Sequence, residues 1–321
     1  MDRAEERILK LVESHGTLTL SEIVDETGYS RSWAWKTVRR LEKKGIIRVE
    51  KVRGVLRVSL EKLDPDRLGI LRIGILRAAE YPYILRLRHI LREKWPRSEI
   101  IVYDDPYKLQ TLLARGSVHL AMLPAVTALL AYRTTGGAVR IIAGGSGGGA
   151  AIVSSKQGAE AHVTTMASSM ELCAIKNGLP GRRIYASSGH EIVELVKSGR
   201  ARYGVVWYPY AAIARRAGLK VEPCELESCC VLAANKWLEP HYSYIARAMA
   251  DSISWTRRRL DNPGISGALA KLIGMPRELI QESLDKYIFY EEPPIHVFKK
   301  SLDEIRATIL PASTVKQAVY W

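Results

Sequence analysis

The sequence predicts an α/β chain in two parts: a small helical domain that ends in a basic two-stranded hairpin, then a larger two-lobed α/β domain. Three observations predict it. Residues 30–60 read SRSWAWKTVRRLEKKGIIRVEKVRGVLRVSL, which is a basic helix, a Gly turn and two short alternating strands. From Leu71 onward, strands and helices alternate at the spacing of a parallel sheet. Two stretches, Leu112–Pro124 and Leu195–Pro209, repeat one plan of helix end, Gly, short turn, buried strand and Pro.

The 321 residues are 47% apolar, enough for two or three buried cores. The first domain is assigned to residues 1–60, a linker to 61–69 and the two-lobed domain to 70–321. Within it, lobe 1 spans about 70–143 plus the C-terminal helices, and lobe 2 about 144–235. The net charge is +14, but residues 1–68 hold 15 basic and 12 acidic residues, so the first domain is nearly balanced. What matters is polarisation. Between Ser30 and Val58 stand ten Lys/Arg against Glu42 and Glu50, while the preceding helices are acid-rich. Clustered basic side chains release counterions from a polyanion, which makes nucleic acid the expected partner.

The N-terminus, Met-Asp-Arg-Ala-Glu-Glu-Arg, has no basic-then-apolar run, and no window of about 18 apolar residues occurs. A cytoplasmic chain with no membrane partner is therefore expected. The four cysteines, Cys173, Cys224, Cys229 and Cys230, match no zinc spacing and are expected to be reduced, buried small residues. Three Asn and four Gln in the whole chain hint at a thermophilic source.

In the first domain, Ile8, Leu9, Leu11 and Val12 put an apolar stripe on a helix over 2–14. Ser21 or Thr19 caps a second helix, which Gly28 closes. Ser30 caps a third, with Trp33, Thr37, Val38 and Leu41 at core spacing. Trp33 is expected in the core and Trp35 on the surface. Lys43-Lys44-Gly45 ends the helix, and strands meet at Arg53-Gly54.

This stretch resembles the winged helix-turn-helix transcription regulators of bacteria and archaea, through Ser30, Ser32, Leu41, Glu42, Gly45, Ile46 and Ile47. The resemblance implies binding to double-stranded DNA, with the third helix in the major groove. The expected contacts are Ser30, Arg31, Ser32, Trp35, Lys36, Arg39 and Arg40 from that helix, and Lys51 and Arg53 from the wing. A single module reads few base pairs, so a homodimer is expected, with the first helix and linker as its seam.

In the second region, strands are expected at 71–76, 99–103, 119–123, 139–142, 150–154, 161–164, 183–186, 204–207 and 230–233. Helices are expected at 84–95, 107–113, 169–176, 191–197, 241–260, 265–272 and 276–286. This pattern resembles the type II periplasmic binding fold, closest to solute-binding proteins for nitrate, alkanesulfonates and thiamine precursors, with His119 where that family has Asp. The resemblance implies a small-molecule effector held between the lobes. Carried onto this chain, its contacts are Glu80, Tyr81, Pro124, Gly145, Ser146, Ser168, Ser169, Ser188, His190, Trp207 and Tyr208. Tyr81, Trp207 and Tyr208 together suit a flat ligand. Ser168-Ser169 and Ser188 precede helices whose N–H groups suit an anion, whereas Glu80 suits a cation. LysR-type regulators share this plan, but the long dimerising helix of their linker is missing here.

The run Gly144–Gly149 (GGSGGG) lacks the Lys-Ser/Thr of a phosphate loop and is expected to be a flexible hinge. No Ser-His-Asp set, carboxylate pair or HExxH motif stands out, so no catalytic residue, metal ligand or cofactor is assigned. The favoured reading is a cytoplasmic, ligand-sensing transcription regulator. The alternative is an enzyme of cofactor biosynthesis, of the thiamine-pyrimidine or menaquinone type, on the same fold.

Overall fold

The computed structural model describes residues 2–15, 17–44, 46–52, 54–60, 65–226, 229–296 and 317–320. Two compact units divide near Leu68.

The first unit contains α1 (Arg3–His15), β1 (Thr17–Thr19), α2 (Leu20–Thr27), α3 (Arg31–Lys43), β2 (Ile47–Val52) and β3 (Val55–Leu60). β3 pairs antiparallel with both β1 and β2. Ile8, Leu9 and Val12 of α1 pack with Leu20 and Ile23 of α2, with Ala34, Val38 and Leu41 of α3, and with Ile47 and Val58 of the hairpin. The apolar face of α1, expected as a dimer seam, is thus spent on the domain's own core. Thr19 rather than Ser21 caps α2, in a reciprocal box with Glu22. Gly28 closes the helix at φ 70°, its N–H donating to the Val24 carbonyl at 2.8 Å.

The two tryptophans exchange the roles expected of them. Trp33 is 39% exposed and meets Tyr29 edge-on with ring centroids 4.3 Å apart. Trp35 is half-buried against the core, with the Arg39 guanidinium 5.4 Å above its ring. The inward stripe of α3 begins at Ala34 and continues through Thr37, Val38 and Leu41, so Trp33 falls just outside it.

The first unit closes with a single turn, α4 (Pro65–Leu68), at the border with the second. In the second unit, lobe 1 contains β4 (Arg72–Leu76), α5 (Ile84–Leu91), β5 (Glu99–Tyr103), α6 (Pro106–Arg115), β6 (Leu120–Pro124), α7 (Ala125–Thr134) and β7 (Val139–Gly148). Lobe 2 contains β8 (Ala150–Ser154), β9 (Ala161–Thr164), α8 (Ser169–Lys176), β10 (Arg182–Tyr185), α9 (Gly189–Lys197), β11 (Tyr203–Trp207), α10 (Tyr210–Arg216) and β12 (Lys220–Cys224). The chain returns to lobe 1 through β13 (Cys230–Asn235), α11 (Tyr242–Arg257), α12 (Pro263–Ile273), α13 (Arg277–Gln281) and β14 (Tyr287–Tyr290).

The lobe 1 sheet has the order β14-β7-β13-β6-β4-β5, and the lobe 2 sheet β10-β9-β11-β8-β12. The βαβ units are parallel: β4 with β5 and β6, and β9 with β10 and β11. The crossover strands β7, β8, β12 and β13, together with β14, pair antiparallel, so each sheet is mixed rather than parallel throughout. Two corrections follow. Residues 144–148 and 230–235, assigned to lobe 2 from sequence, belong to the lobe 1 sheet. The run Gly144–Gly149 is not a loose hinge, because its first five residues are the end of β7. A Cβ on Gly144 would stand 1.9 Å from the Tyr290 carbonyl oxygen, and one on Gly145 would stand 2.3 Å from that of Cys230. Glycine is there so that three strands can close up. The turn into lobe 2 is confined to Gly148 and Gly149, at φ 74° and 69°.

Cys173 and Cys224 form a disulfide that ties α8 to the end of β12, where reduced thiols were expected. Both side chains are buried on the same side of lobe 2, which the sequence spacing of 51 residues does not reveal. Among the described residues, no helix is long and apolar enough to cross a membrane.

Candidate functional site

In the first unit, Ser30 accepts the Trp33 N–H and starts α3. Arg31, Ser32, Lys36, Arg39 and Arg40 are exposed along the helix, and Lys51 is exposed on the wing. Arg53 lies outside the described residues. The basic residues are not equivalent. Arg40 is 3.1 Å from Asp2 and 3.8 Å from Glu5, and Lys44 holds Glu5 at 2.7 Å. These two basic side chains neutralise the start of α1, so Arg40 faces a neighbouring helix rather than standing clear. Burial pushes the Glu5 carboxyl up, but the Lys44 ammonium and the Asp2 N–H together hold the group below the usual Glu range. Arg39 is paired with Glu42 one turn on. Arg31 and Lys36 therefore remain the better-placed phosphate contacts. Sequence reading missed the pairing of half-buried Tyr29, in the turn before α3, with exposed Trp33 in its first turn.

In the second unit, the lobes meet over direct hydrogen bonds. The Trp207 indole N–H donates to the Arg77 carbonyl at 2.9 Å, and the Ala79 N–H donates to the Tyr208 carbonyl at 3.2 Å. The Tyr287 hydroxyl donates to the same Tyr208 carbonyl at 2.7 Å, and the Ser169 hydroxyl to the Cys229 carbonyl at 3.2 Å. A cavity of about 20 Å³ survives between them. Glu80, Pro124, Ser168, Ser169 and Trp207 border it, with Cys229 and Cys230. That volume admits one water or ion, against the roughly 300–1,000 Å³ of a metabolite pocket.

Glu80 sits in the loop after β4 and is 3% exposed, so it is not the solvated group its charge suggests. Its Oε1 accepts the Tyr81 hydroxyl at 2.5 Å and the Cys230 thiol at 3.1 Å, and its Oε2 accepts the Ser146 hydroxyl at 2.8 Å. Burial pushes the Cys230 thiol and the Tyr81 hydroxyl well up, with Glu80 and the neighbouring thiols adding to the shift and the Tyr81 hydrogen bond opposing it at Cys230. Both groups therefore keep their protons at neutral pH and donate to the carboxylate. Ser168 caps α8, accepting the Met170 and Glu171 N–H groups while its own hydroxyl donates to the Thr165 carbonyl.

Other expected ligand contacts stand elsewhere. Tyr81 is wholly buried with its hydroxyl on Glu80, and Tyr208 lines a separate groove with Arg215 and Lys286. The aromatic trio does not converge; only Trp207 borders the cavity. Gly145 is enclosed between Cys230 and Met122. Ser188, the cap of α9, and His190 line an open groove of about 950 Å³ with Arg77, Asp104, Lys108 and Tyr210. The sequence lets the stretch Cys224–Cys230 bind a soft metal, but a buried strand is the favoured reading there, so Cys229 and Cys230 are absent from the expected site. Their further signal is position: a Cys pair where the chain returns from lobe 2.

Residues 1–48 match the family described as winged helix-turn-helix DNA-binding. Comparison with curated protein sequences gave no match. Solved structures similar to this chain include solute-binding proteins. The periplasmic nitrate-binding protein of Synechocystis superimposes with a TM-score of 0.64 at 12% identity, over 78% of this chain and 86% of that one. The ligand-binding component of an ABC-type import system from Staphylococcus aureus, solved with zinc bound, gives 0.63 at 15%, over 78% and 98%. The alkanesulfonate-binding protein of Xanthomonas axonopodis bound to MOPS gives 0.59 at 16%, over 78% and 98%. The chain thus joins a winged helix-turn-helix domain to a domain with the periplasmic-binding-protein-like fold, and at these identities the likeness is one of fold.

Proposed function

We propose that this chain is a cytoplasmic, homodimeric, one-component transcription regulator in which residues 1–60 bind operator DNA and residues 70–321 sense a small molecule. The observation that carries this reading is the presence of a DNA-binding domain and a two-lobed binding fold in one chain. Arg31, Lys36 and the wing residue Lys51 contact phosphates, and the first turn of α3 meets base edges. Two copies place their recognition helices one DNA turn apart, roughly 34 Å.

In the second domain, effector binds at the cleft between Glu80, Pro124, Ser168, Ser169 and Trp207, outside the carboxyl ends of the parallel strands. An effector of metabolite size enters when the lobes part, and closure upon it changes DNA affinity. The chain acts by binding, without turning over a substrate. A thermophilic source agrees with the Cys173–Cys224 disulfide, because intracellular proteins of hyperthermophiles are disulfide-rich.

The experiment is selection of duplexes from a random library by the full chain, followed by titration of the selected duplex against salt. With six or more phosphates contacted, log affinity falls against log salt with a slope of about −5 or steeper. No duplex affinity at low salt would sink the reading.

A further inference from the structure

Cys229 and Cys230 are neighbours in sequence, and neighbours on a strand send their side chains to opposite faces. Here the chain bends instead. Cys229 precedes β13; its N–H donates to the Ser146 carbonyl at 2.9 Å, and its carbonyl accepts the Ala125 N–H at 2.7 Å. The two Sγ atoms end 3.3 Å apart, and the Glu80 carboxylate reaches them from the loop after β4. One ligand atom from each of the three residues lies within 4.8 Å of the others, and all three residues are buried.

We propose that Glu80, Cys229 and Cys230 form a binding site for a soft, thiophilic cation of the zinc class, set in the cleft between the lobes. Binding releases the Cys229 and Cys230 protons to solvent, and the thiolate sulfur so formed selects zinc and similar soft ions, whereas magnesium and calcium take oxygen donors. Tetrahedral zinc with Zn–S bonds near 2.3 Å spaces its two sulfurs about 3.8 Å apart, so the thiols here need only open slightly. The cavity of about 20 Å³ borders the same three residues and is of one-ion size. The carboxylate is already aimed, with Ser146 holding Oε2 and Tyr81 holding Oε1.

Charge supports the same assignment. Among the described residues Glu80 has hydroxyl and thiol donors but no Lys, Arg or His beside it. A buried carboxylate without a cation is unfavourable, and a divalent ion offsets it. Three protein ligands leave a fourth position toward Ser168 and Ser169, on the lobe 2 side of the cavity. An ion there is touched by both lobes. The assignment deepens the sensor reading by naming a metal ion as a ligand of the same cleft, and it rests on that reading only for its effect at DNA.

The test titrates the full, reduced chain with Co²⁺ as a spectroscopic stand-in for Zn²⁺. One Co²⁺ per chain is expected, with a near-ultraviolet thiolate-to-cobalt band and the visible bands of a tetrahedral site, all abolished by Zn²⁺. Cys229→Ser and Cys230→Ser each weaken or remove the thiolate band, with circular dichroism reporting whether the variant is folded. Ser146→Ala keeps all three ligands and lowers affinity roughly 10–100-fold. The double variant Cys173→Ser/Cys224→Ser keeps the band. Wild-type chain that takes up no Co²⁺, or a band that survives in both Cys229→Ser and Cys230→Ser, overturns the assignment. A reduced chain that loses two hydrogens in air and binds no cobalt also overturns it, marking the pair as a redox disulfide instead. Duplex affinity with and without Zn²⁺ is the separate arm. If it is unchanged while the cobalt band is intact, the site stands and its link to DNA falls.

Discussion

Trp207 of lobe 2 and Arg77 of lobe 1 are joined by an indole N–H donated to a backbone carbonyl at 2.9 Å. The contact crosses the cleft beside the buried Glu80, so it reports directly on whether the lobes are together. Trp207→Phe retains a ring but removes the donor. A net hydrogen bond of about 0.5–1.5 kcal/mol corresponds to a shift of roughly 2–12-fold toward separated lobes. Small-angle scattering of the variant should show a larger radius of gyration; an unchanged profile would mean that this bond does not govern closure.

The two kinds of basic residue on α3 should separate by experiment. Lys36→Ala is expected to weaken binding to all duplexes and to reduce the salt slope by about one. Arg40→Ala should act mainly on stability, because its guanidinium lies beside Asp2 and Glu5. Equal losses of DNA affinity in both variants, at unchanged melting temperature, would contradict the pairing.

Glu5 gives the first unit an acid-sensitive element. Its carboxyl is held below the usual Glu range by Lys44 and the Asp2 N–H, so its contribution is complete above that ordinary value and is lost as pH falls through the lowered one. Glu5→Gln is expected to cost about 1–3 kcal/mol at neutral pH and progressively less in acid. Hydrogen exchange of the α1 amides, followed against pH in both proteins, measures it; a pH-independent difference would rule out the ion pair as the cause.

Reduction of the Cys173–Cys224 bond releases a loop of 51 residues. Loop-closure entropy puts the loss near 4 kcal/mol. Unfolding free energies with and without reductant should differ by that amount in the wild type, with a lower midpoint in reductant, and not at all in Cys173→Ser/Cys224→Ser. Identical midpoints in the wild type would argue that the bond does not form.

Much of this architecture was legible because its signals are local. The α8 helix was placed at Ser169–Lys176 from its cap and periodicity, and the hairpin from alternation around Gly54. What escaped depends on contacts distant in sequence. The strands β12 and β14 complete the two sheets only by pairing with β8 and β7, each far upstream in sequence. Trp33 and Trp35 differ by two positions, about 200° of helical rotation, and only the packing of α1 and α2 decides which one faces inward. The Cys229–Cys230 pair took its meaning from Glu80, about 150 residues upstream, and the aromatic trio dispersed because Tyr81 points into lobe 1.

The glycine end of β7 has a consequence for anyone who alters or compares this protein. A compositional eye would choose residues 144–149 for a tag, an insertion or a length change, and would tolerate gaps there when aligning relatives. The structure inverts that choice. Tyr290, Cys230 and Tyr287 approach the backbone so closely that even one methyl group on Gly144, Gly145 or Gly149 has nowhere to go. The segment that looks most dispensable is therefore among the least editable, and a safer insertion point is the exposed turn at Gly218, whose φ of 82° still calls for keeping the glycine itself.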